Sequence, residues 1–276
     1  MHTSAKVLAL TELMRPGGAV ALTGAGLSTE SGIPDYRSPA SLARARRPIQ
    51  GPEFVRSESV RRRYWARAFL GWDRMRGAEP NAGHRAIAAL EARGLVDAVV
   101  TQNVDRLHHK AGSRRVTELH GALAEVVCLA CGVLEDRDAL QARLLAHNPG
   151  WTDVAVDGAP DGDADLPAHL VEAFHPVACA TCGGVLKPRV VFFGDSVPRP
   201  VVDEAFAAVD AARVLLVIGT SLAVFSGYRF LRRAAERGIP VAIVNRGPVR
   251  GEEVATLKIE SSTGTTLDAV AKQLAS

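Results

Sequence analysis

Four short apolar runs punctuate the chain, and each ends in small or polar residues. Ala19-Val20-Ala21-Leu22 leads into Thr23-Gly24, Ala98-Val99-Val100 into Thr101-Gln102-Asn103, Val214-Leu215-Leu216-Val217-Ile218 into Gly219-Thr220-Ser221, and Val241-Ala242-Ile243-Val244 into Asn245. Runs of this length with no alternating polar face predict parallel strands buried on both sides. Segments rich in Ala and Leu between them, such as Ala82 to Arg93, Val201 to Ala212 and Tyr228 to Arg237, predict helices. The alternation predicts an α/β fold with a doubly wound parallel sheet, which binds ligands beyond the carboxyl ends of its strands. The polar tails are expected to converge on one crevice.

Two insertions interrupt the alternation. Residues from about Ser38 to Asn81 are rich in Arg and aromatic side chains, and their pattern predicts a helix over Val60 to Trp72. The second insertion carries all four cysteines as Cys128-x-x-Cys131 and Cys179-x-x-Cys182, separated by a turn-rich acidic loop over residues 148–167. Two such pairs can bring four thiolates to tetrahedral geometry, which suits a closed, structural zinc site; disulfides or unligated thiols are the alternatives. His147, His169 and His175 lack paired spacing and read as solvated loop residues. The expected layout is a Rossmann-like domain over 1–37, 82–123 and 186–276, a helical insertion over 38–81 and a zinc-binding module over 124–185.

Composition narrows the setting. A chain of 276 residues suffices for one main domain and a smaller one, at about 100 to 200 residues per domain. With 33 Lys plus Arg against 30 Asp plus Glu, the net charge of +3 gives no argument for nucleic acid or an anionic membrane. The apolar stretch Val7 to Leu10 is too short for an export signal, and no stretch approaches the roughly 20 apolar residues of a membrane helix. The expectation is a cytoplasmic, monomeric protein without membrane partners, in which paired cysteines hold metal.

Gly24-Ala25-Gly26 after a strand lets backbone N–H groups approach a pyrophosphate, with Ser28 and Thr29 opening the next turn. An ordinary strand-to-helix turn gives the same string, and the dinucleotide fingerprint is incomplete, with Thr29 at its third glycine position. Gly32 and Pro34 preclude a long helix and imply an ordered loop carrying Asp35 and Arg37. Asn103 and Asp105 lie just past a strand end, where they can hold a polar ring or ribose, or cap a helix. His120, in Glu118-Leu119-His120-Gly121, is suited to proton transfer near neutral pH, but His84, His108 and His109 are equally visible. Tyr64 and Arg67 share a helix face that can bind a carboxylate, or form part of a solvated basic face with Arg61, Arg62 and Arg63.

Together these motifs resemble the sirtuins. Gly24-Ala25-Gly26-x-Ser28 with Gly32-Ile33-Pro34-Asp35-Tyr36-Arg37, Gln102-Asn103-Val104-Asp105-x-Leu107-His108, Glu118-Leu119-His120-Gly121, the cysteine pairs, Gly219-Thr220-Ser221 and Asn245 run in family order. Arg46-Arg47-Pro48-Ile49-Gln50, Arg63-Tyr64-Trp65-Ala66-Arg67 and Ser226-Gly227-Tyr228-Arg229-Phe230 look like the class II branch, most like its mitochondrial sirtuin-4 type. Ser226 stands where the family usually has proline.

The resemblance implies an NAD-dependent protein lysine deacylase, of the transferase class, acting on acyl-lysine proteins or peptides. In the family's chemistry the acyl oxygen attacks C1′ of the nicotinamide ribose and releases nicotinamide. His120 then serves as general base for a ribose hydroxyl, with free lysine and O-acyl-ADP-ribose as products, and Asn103 and Asp105 assist as catalytic residues. By the same resemblance the NAD site comprises Gly24, Ala25, Gly26, Ser28, Glu30, Asp35, Tyr36, Arg37, Gln102, Asn103, Val104 and Asp105, with Gly219, Thr220, Ser221, Asn245, Arg246, Gly247 and Thr263 toward adenosine. Tyr64, Arg67, Val191, Phe193 and Gly194 are implied to bind substrate, with Tyr64 and Arg67 favouring acidic acyl groups. Zinc on Cys128, Cys131, Cys179 and Cys182 is implied to be structural. Two rivals remain at this stage: mono-ADP-ribosyl transfer to protein through the same pocket, and a zinc-containing nucleic-acid binder suggested by the eight arginines from Arg44 to Arg67.

Overall fold

The computed structural model describes residues 3–36, 48–151 and 166–275. Arg37, the arginines at 44, 46 and 47, and loop residues 152–165 lie outside the described residues. The strands, in chain order, are β1 (Ala19–Thr23), β2 (Val96–Thr101), β3 (Val116–Glu118), β4 (Gly121–Cys128), β5 (Leu134–Asp136), β6 (Leu186–Val190), β7 (Val214–Ile218), β8 (Val241–Val244) and β9 (Leu257–Ile259). Contacts group the chain into two units, one of Met1–Gly32, Glu79–Leu119 and Val197–Ser276, the other of Ile33–Ala78 and His120–Ser196. Among the described residues, no helix is long and apolar enough to cross a membrane.

The first unit is built on a six-stranded parallel sheet in the order β3-β2-β1-β7-β8-β9. Its central strands are apolar along most of their length because alternate residues enter separate cores. Ala19 and Ala21 of β1 and Val214, Leu216 and Ile218 of β7 face a layer with Leu10, Met14, Ile87, Leu90 and Leu267. Val20 and Leu22, with Leu215 and Val217, face the opposite layer with Val209, Phe230 and Leu231. Each such Val or Leu contributes about 1.5–3 kcal/mol through burial, so neither face tolerates a polar residue. Helices Thr3–Met14, Ala82–Ala92 and Thr263–Ala275 supply the first layer, and Arg199–Ala211 and Phe225–Glu236 the second.

The second unit holds the antiparallel sheet β5-β4-β6 and the helix Glu58–Gly77. Ser57 caps that helix by accepting from Val60 N at 3.3 Å. Its buried side, with Tyr64, Trp65 and Phe69, packs in one core with Val126, Leu140, Leu144, Phe174 and Leu186. Among the described residues, Arg137 enters this core without a carboxylate in ion-pair contact. Its guanidinium stacks on Trp72 at 4.8 Å and Trp65 at 5.6 Å and donates to Ala68 O at 3.0 Å, fixing the helix to Arg137–His147. Burial pulls its pKa down to about 10, so it stays charged at neutral pH.

Candidate functional site

The cofactor residues expected in the first unit gather beyond the carboxyl ends of β1, β2, β7 and β8. After β1 the chain turns into a 3₁₀ helix, Ala25–Ser31, ended by Gly32 at φ 81°. Ser28 donates to the Asp105 carboxylate at 2.6 Å and accepts from Asn103 Nδ2 at 3.1 Å, while Asn103 Nδ2 also donates to Gly24 O at 3.1 Å. Gln102 Nε2 donates to Thr220 Oγ1 at 3.0 Å, joining the ends of β2 and β7. Asn245 donates to Arg246 O at 2.9 Å and Gly247 O at 3.3 Å, shaping its own loop. Glu30 is hydrogen-bonded to Ser262, next to Thr263. Thus Ser28, Asn103, Asp105 and Gly24 form one bonded cluster and Gln102 with Thr220 another, whereas Val104, Ala25 and Ser221 make no side-chain bond to either.

Backbone strain collects on the same edge. Arg106, at φ 59°, directly follows Asp105, whose Oδ1 accepts from Leu107 N at 2.9 Å. Buried Leu222, at φ 50°, follows Ser221, and its N–H goes to Thr220 Oγ1 at 3.2 Å. Left-handed non-glycine residues cost about 1–3 kcal/mol each, and such strain clusters at functional loops. Composition gave no signal for either.

The glycines do something other than the sequence suggests. Gly26 N donates to Gly219 O at 2.8 Å and Gly24 N to Ile218 O at 3.1 Å, so these two amides are taken by the protein and do not face a pyrophosphate. A Cβ at Gly26 would lie 2.8 Å from Gly219 O, and one at Gly219 would lie 2.3 Å from Leu27 N. Their need is close approach of two backbones, which brings the loops after β1 and β7 together.

The histidine ambiguity is resolved by burial. His108 is 1% exposed and its Nε2 lies 2.9 Å from Thr23 Oγ1. His84 is fully buried and completes a capping box with Asn81, which in turn donates to Leu27 O at 2.7 Å. Burial pushes His84 down to about 4 and His108 well below its ordinary value. Both are therefore neutral supports under the loop, without access to a substrate. His109 is half-exposed and 3.6 Å from Glu118.

His120 opens the second unit, half-buried, and its carbonyl accepts from Val191 N at 2.9 Å. Gly121 follows at φ 75°, where a Cβ would lie 2.0 Å from Arg189 O. That close approach fixes His120 beside the loop after β6. Tyr64 is 6% exposed, with its ring 5.3 Å from Phe192, 5.5 Å from Phe54 and 5.1 Å from Trp65. It is a wall of the aromatic core and not part of a solvated basic face; Arg67, a turn later, is half-buried. Asp35 is half-buried and Tyr36 exposed.

The loop Val191–Asp195 is held by a clasp that no motif announced. Gly51 N donates to Phe193 O at 2.8 Å, and Gln50 bridges Phe193. A Cβ on Gly51 would lie 1.8 Å from Asp195 Oδ1. Lys187 Nζ sits 3.4 Å from Asp195, 4.6 Å from the centre of the Phe192 ring and 2.5 Å from Val190 O. Burial lowers its pKa against the pull of Asp195.

The four cysteines form two equivalent knuckles. In each, the glycine after the second cysteine adopts φ 73° and its N–H returns to the first cysteine's carbonyl, Gly132 to Cys128 at 3.0 Å and Gly183 to Cys179 at 2.9 Å. The four Sγ atoms lie within 4.8 Å of one another, with Cys128 to Cys182 at 3.5 Å and Cys131 to Cys179 at 3.9 Å. Tetrahedral zinc with bonds of about 2.3 Å places sulfurs about 3.8 Å apart, so the set fits zinc. The N–H groups of Cys131 and Ala130 pull the Cys128 thiol down to about 6 and those of Cys182 and Thr181 lower Cys179, whereas, against the pull of the Gly184 N–H, the crowded Cys131 and Cys128 sulfurs push Cys182 up to about 12. The first two favour the thiolate that a metal requires, and the third reflects like charges crowded together that a cation between them would relieve.

A parallel α/β sheet with polar strand ends, a 3₁₀ turn after β1 ended by left-handed Gly32 and a Cys₄ module is the framework of a nucleotide-binding fold with a metal-binding module. The model of the Sir2 family matches residues 24–226. The chain is 50% identical over 265 residues to NAD-dependent protein deacetylase 1 of Streptomyces coelicolor, covering 96% of this chain and 89% of that protein. It is also 50% identical over 246 residues to the NAD-dependent protein lipoamidase sirtuin-4, mitochondrial, of Bos taurus, covering 88% and 78%. A solved Sir2 complex with a p53 peptide and NAD+ has a TM-score of 0.74 at 28% identity, covering 96% of this chain and 97% of that one. A second, from work on the mechanism and regulation of Sir2 enzymes, has a TM-score of 0.76 at 30% identity and covers 99% and 98%. The chain belongs to the Sir2 family.

Proposed function

We propose that the protein is an NAD-dependent protein lysine deacylase that releases nicotinamide and O-acyl-ADP-ribose. The observation that carries this reading is the Ser28–Asn103–Asp105 cluster past the ends of β1 and β2, in a chain half identical to proteins named for NAD-dependent deacetylation. When bound, NAD supplies an activated ribose carbon as acceptor for the acyl oxygen, with nicotinamide as leaving group. A buried Thr263 hydroxyl with no protein partner, near Glu30 at the start of the last helix, fits a nucleotide contact.

The chain's own groups divide the remaining work. His120 takes a proton from a ribose hydroxyl, a role closed to buried His84 and His108. Asp105, raised by burial and held back by the Ser28 hydroxyl, orients the ribose with Asn103. Zinc holds the two knuckles, and no proton or acyl transfer involves it. Arg67 receives the distal carboxylate of an acidic acyl chain, with Tyr64 as a wall of that pocket.

The test is to incubate the protein with NAD and a panel of acyl-lysine peptides, following nicotinamide and O-acyl-ADP-ribose by mass spectrometry. Both products appear with the wild type and vanish with His120→Ala. Stable transfer of label from NAD to protein, without O-acyl-ADP-ribose, would replace deacylation by ADP-ribosyl transfer.

A further inference from the structure

A cleft of about 420 Å³ in the first unit is lined by Phe206, Phe225, Arg229, Arg232, Arg233 and Glu236. It lies between the helices Arg199–Ala211 and Phe225–Glu236, and none of its six residues belongs to the nucleotide, substrate or zinc sets. Volumes of about 300–1,000 Å³ are those of small-molecule sites.

Its walls are two arginine–phenylalanine stacks: Arg229 over Phe225 at 5.6 Å and Arg233 over Phe206 at 6.0 Å. The two arginines differ in charge compensation. Arg233 is bound by Asp210 through two contacts of 2.7 Å, which hold the Asp210 carboxyl below its ordinary range. Arg232 pairs with Glu236 at 3.2 Å. Arg229 has no hydrogen bond or ion pair among the described residues, and its Nε is buried without a partner. A donor removed from water without an acceptor costs about 1–3 kcal/mol, which an incoming acceptor relieves. Phe225, 53% exposed at the rim, offers an apolar ring beside that donor.

We infer that this cleft binds a small organic monoanion with a planar apolar body, of the aryl carboxylate kind, its carboxylate on Arg229 and its ring between Phe225 and Phe206. One uncompensated guanidinium matches one negative charge, and its fork matches a carboxylate. The aromatic walls select against small hydrated anions. The site also touches the nucleotide machinery through its helix: Gly227, two residues from Arg229, packs so closely on Gln102 that a Cβ would lie 2.5 Å from Gln102 Oε1.

The probe is 2-naphthoate, titrated by calorimetry into zinc-loaded protein saturated with NAD, so that the nucleotide site is filled. Acetate, neutral 2-naphthalenemethanol and an acidic tetrapeptide are the comparisons. Saturable binding of 2-naphthoate is expected, weakened about tenfold or more by Arg229→Gln, unchanged by Arg232→Gln, and weaker for each comparison compound. Melting curves of both variants establish that they are folded, and Phe225→Leu supplies an independent loss. Absence of saturable naphthoate binding, equal losses in Arg229→Gln and Arg232→Gln, equal binding of the neutral alcohol, or preference for the tetrapeptide would overturn the inference.

Discussion

Thr23 and His108 meet beneath the nucleotide loop, with the threonine hydroxyl 2.9 Å from the imidazole Nε2. That hydroxyl donates to Thr101 Oγ1 at 2.9 Å, so the His108 hydrogen resides on Nε2 and its buried Nδ1 is bare. His84 carries its hydrogen on the same nitrogen but lacks the opposite partner: its Nδ1 accepts from Asn81 N at 3.4 Å, leaving Nε2–H without one. The two rings stand 5.0 Å apart.

Acid is therefore expected to weaken the fold at this place. In the unfolded chain each histidine takes up a proton near pH 6.5, whereas in the folded protein His84 resists until about 4 and His108 is likewise held well below its ordinary value. The unfolded state binds more protons across that window, so stability falls as pH falls from about 6.5 to about 4, by up to about 1.4 kcal/mol per pH unit for each histidine. Urea unfolding at about pH 7 and about pH 5 measures this. His108→Gln flattens the profile; equal stability of the wild type at both values refutes it.

Ser28→Ala removes the hydroxyl that bonds the buried Asp105 carboxylate. Burial already raises that carboxyl, so the variant raises it further and the acid limb of kcat/KM moves to higher pH. The buried acceptor left behind costs about 1–3 kcal/mol of stability. An unmoved acid limb contradicts the proposed role of the pair.

Gly219→Ala and Gly26→Ala test the close approach of the two loops. Gly219 has φ 60°, and its added methyl would meet Leu27 N at 2.3 Å, so this variant combines backbone strain with overlap. A loss of about 2 kcal/mol or more is expected, together with weaker NAD binding. Full stability with reduced NAD affinity would return these glycines to direct phosphate contact.

Chelation tests the knuckles. Stripping metal leaves four thiols crowded within 4.8 Å, and a marked fall in melting temperature with one released zinc per chain is expected. Cys131→Ser is expected to reproduce the fall. Elemental analysis finding no metal, or a chelated protein that melts unchanged, argues against structural zinc.

Arg67→Met is expected to reduce turnover of glutaryl-lysine peptides about tenfold or more relative to acetyl peptides, because it removes the charge and keeps the length. Equal losses on both would assign Arg67 to packing.

The four strands at the centre of the parallel sheet were legible because nearly every position is buried, only Asp97 of β2 being half-buried, which leaves short apolar runs. β3 and β9 were not: each has three residues at a sheet edge, too few for a period. β6 contains Pro188 and Arg189, and proline argues against a strand unless the strand lies at an edge, as this one does. The cysteine module was readable because ligand chemistry fixes local spacing. The histidines were not separable in sequence, since what distinguishes His84 and His108 from His120 is burial by residues far away in the chain. The clasp of Lys187, Asp195 and Gly51 escaped for the same reason: a glycine chosen for a carboxylate 144 positions onward leaves no periodic trace.

That carboxylate has a corollary. Because the Asp195 carboxylate occupies the space a Cβ at 51 would need, a side chain there would have to displace that carboxylate from Lys187. Chimaeras that exchange residues 48–77 are therefore expected to fold best when glycine is kept at 51 or the loop Val191–Asp195 is exchanged with it, so the two segments travel as a matched pair.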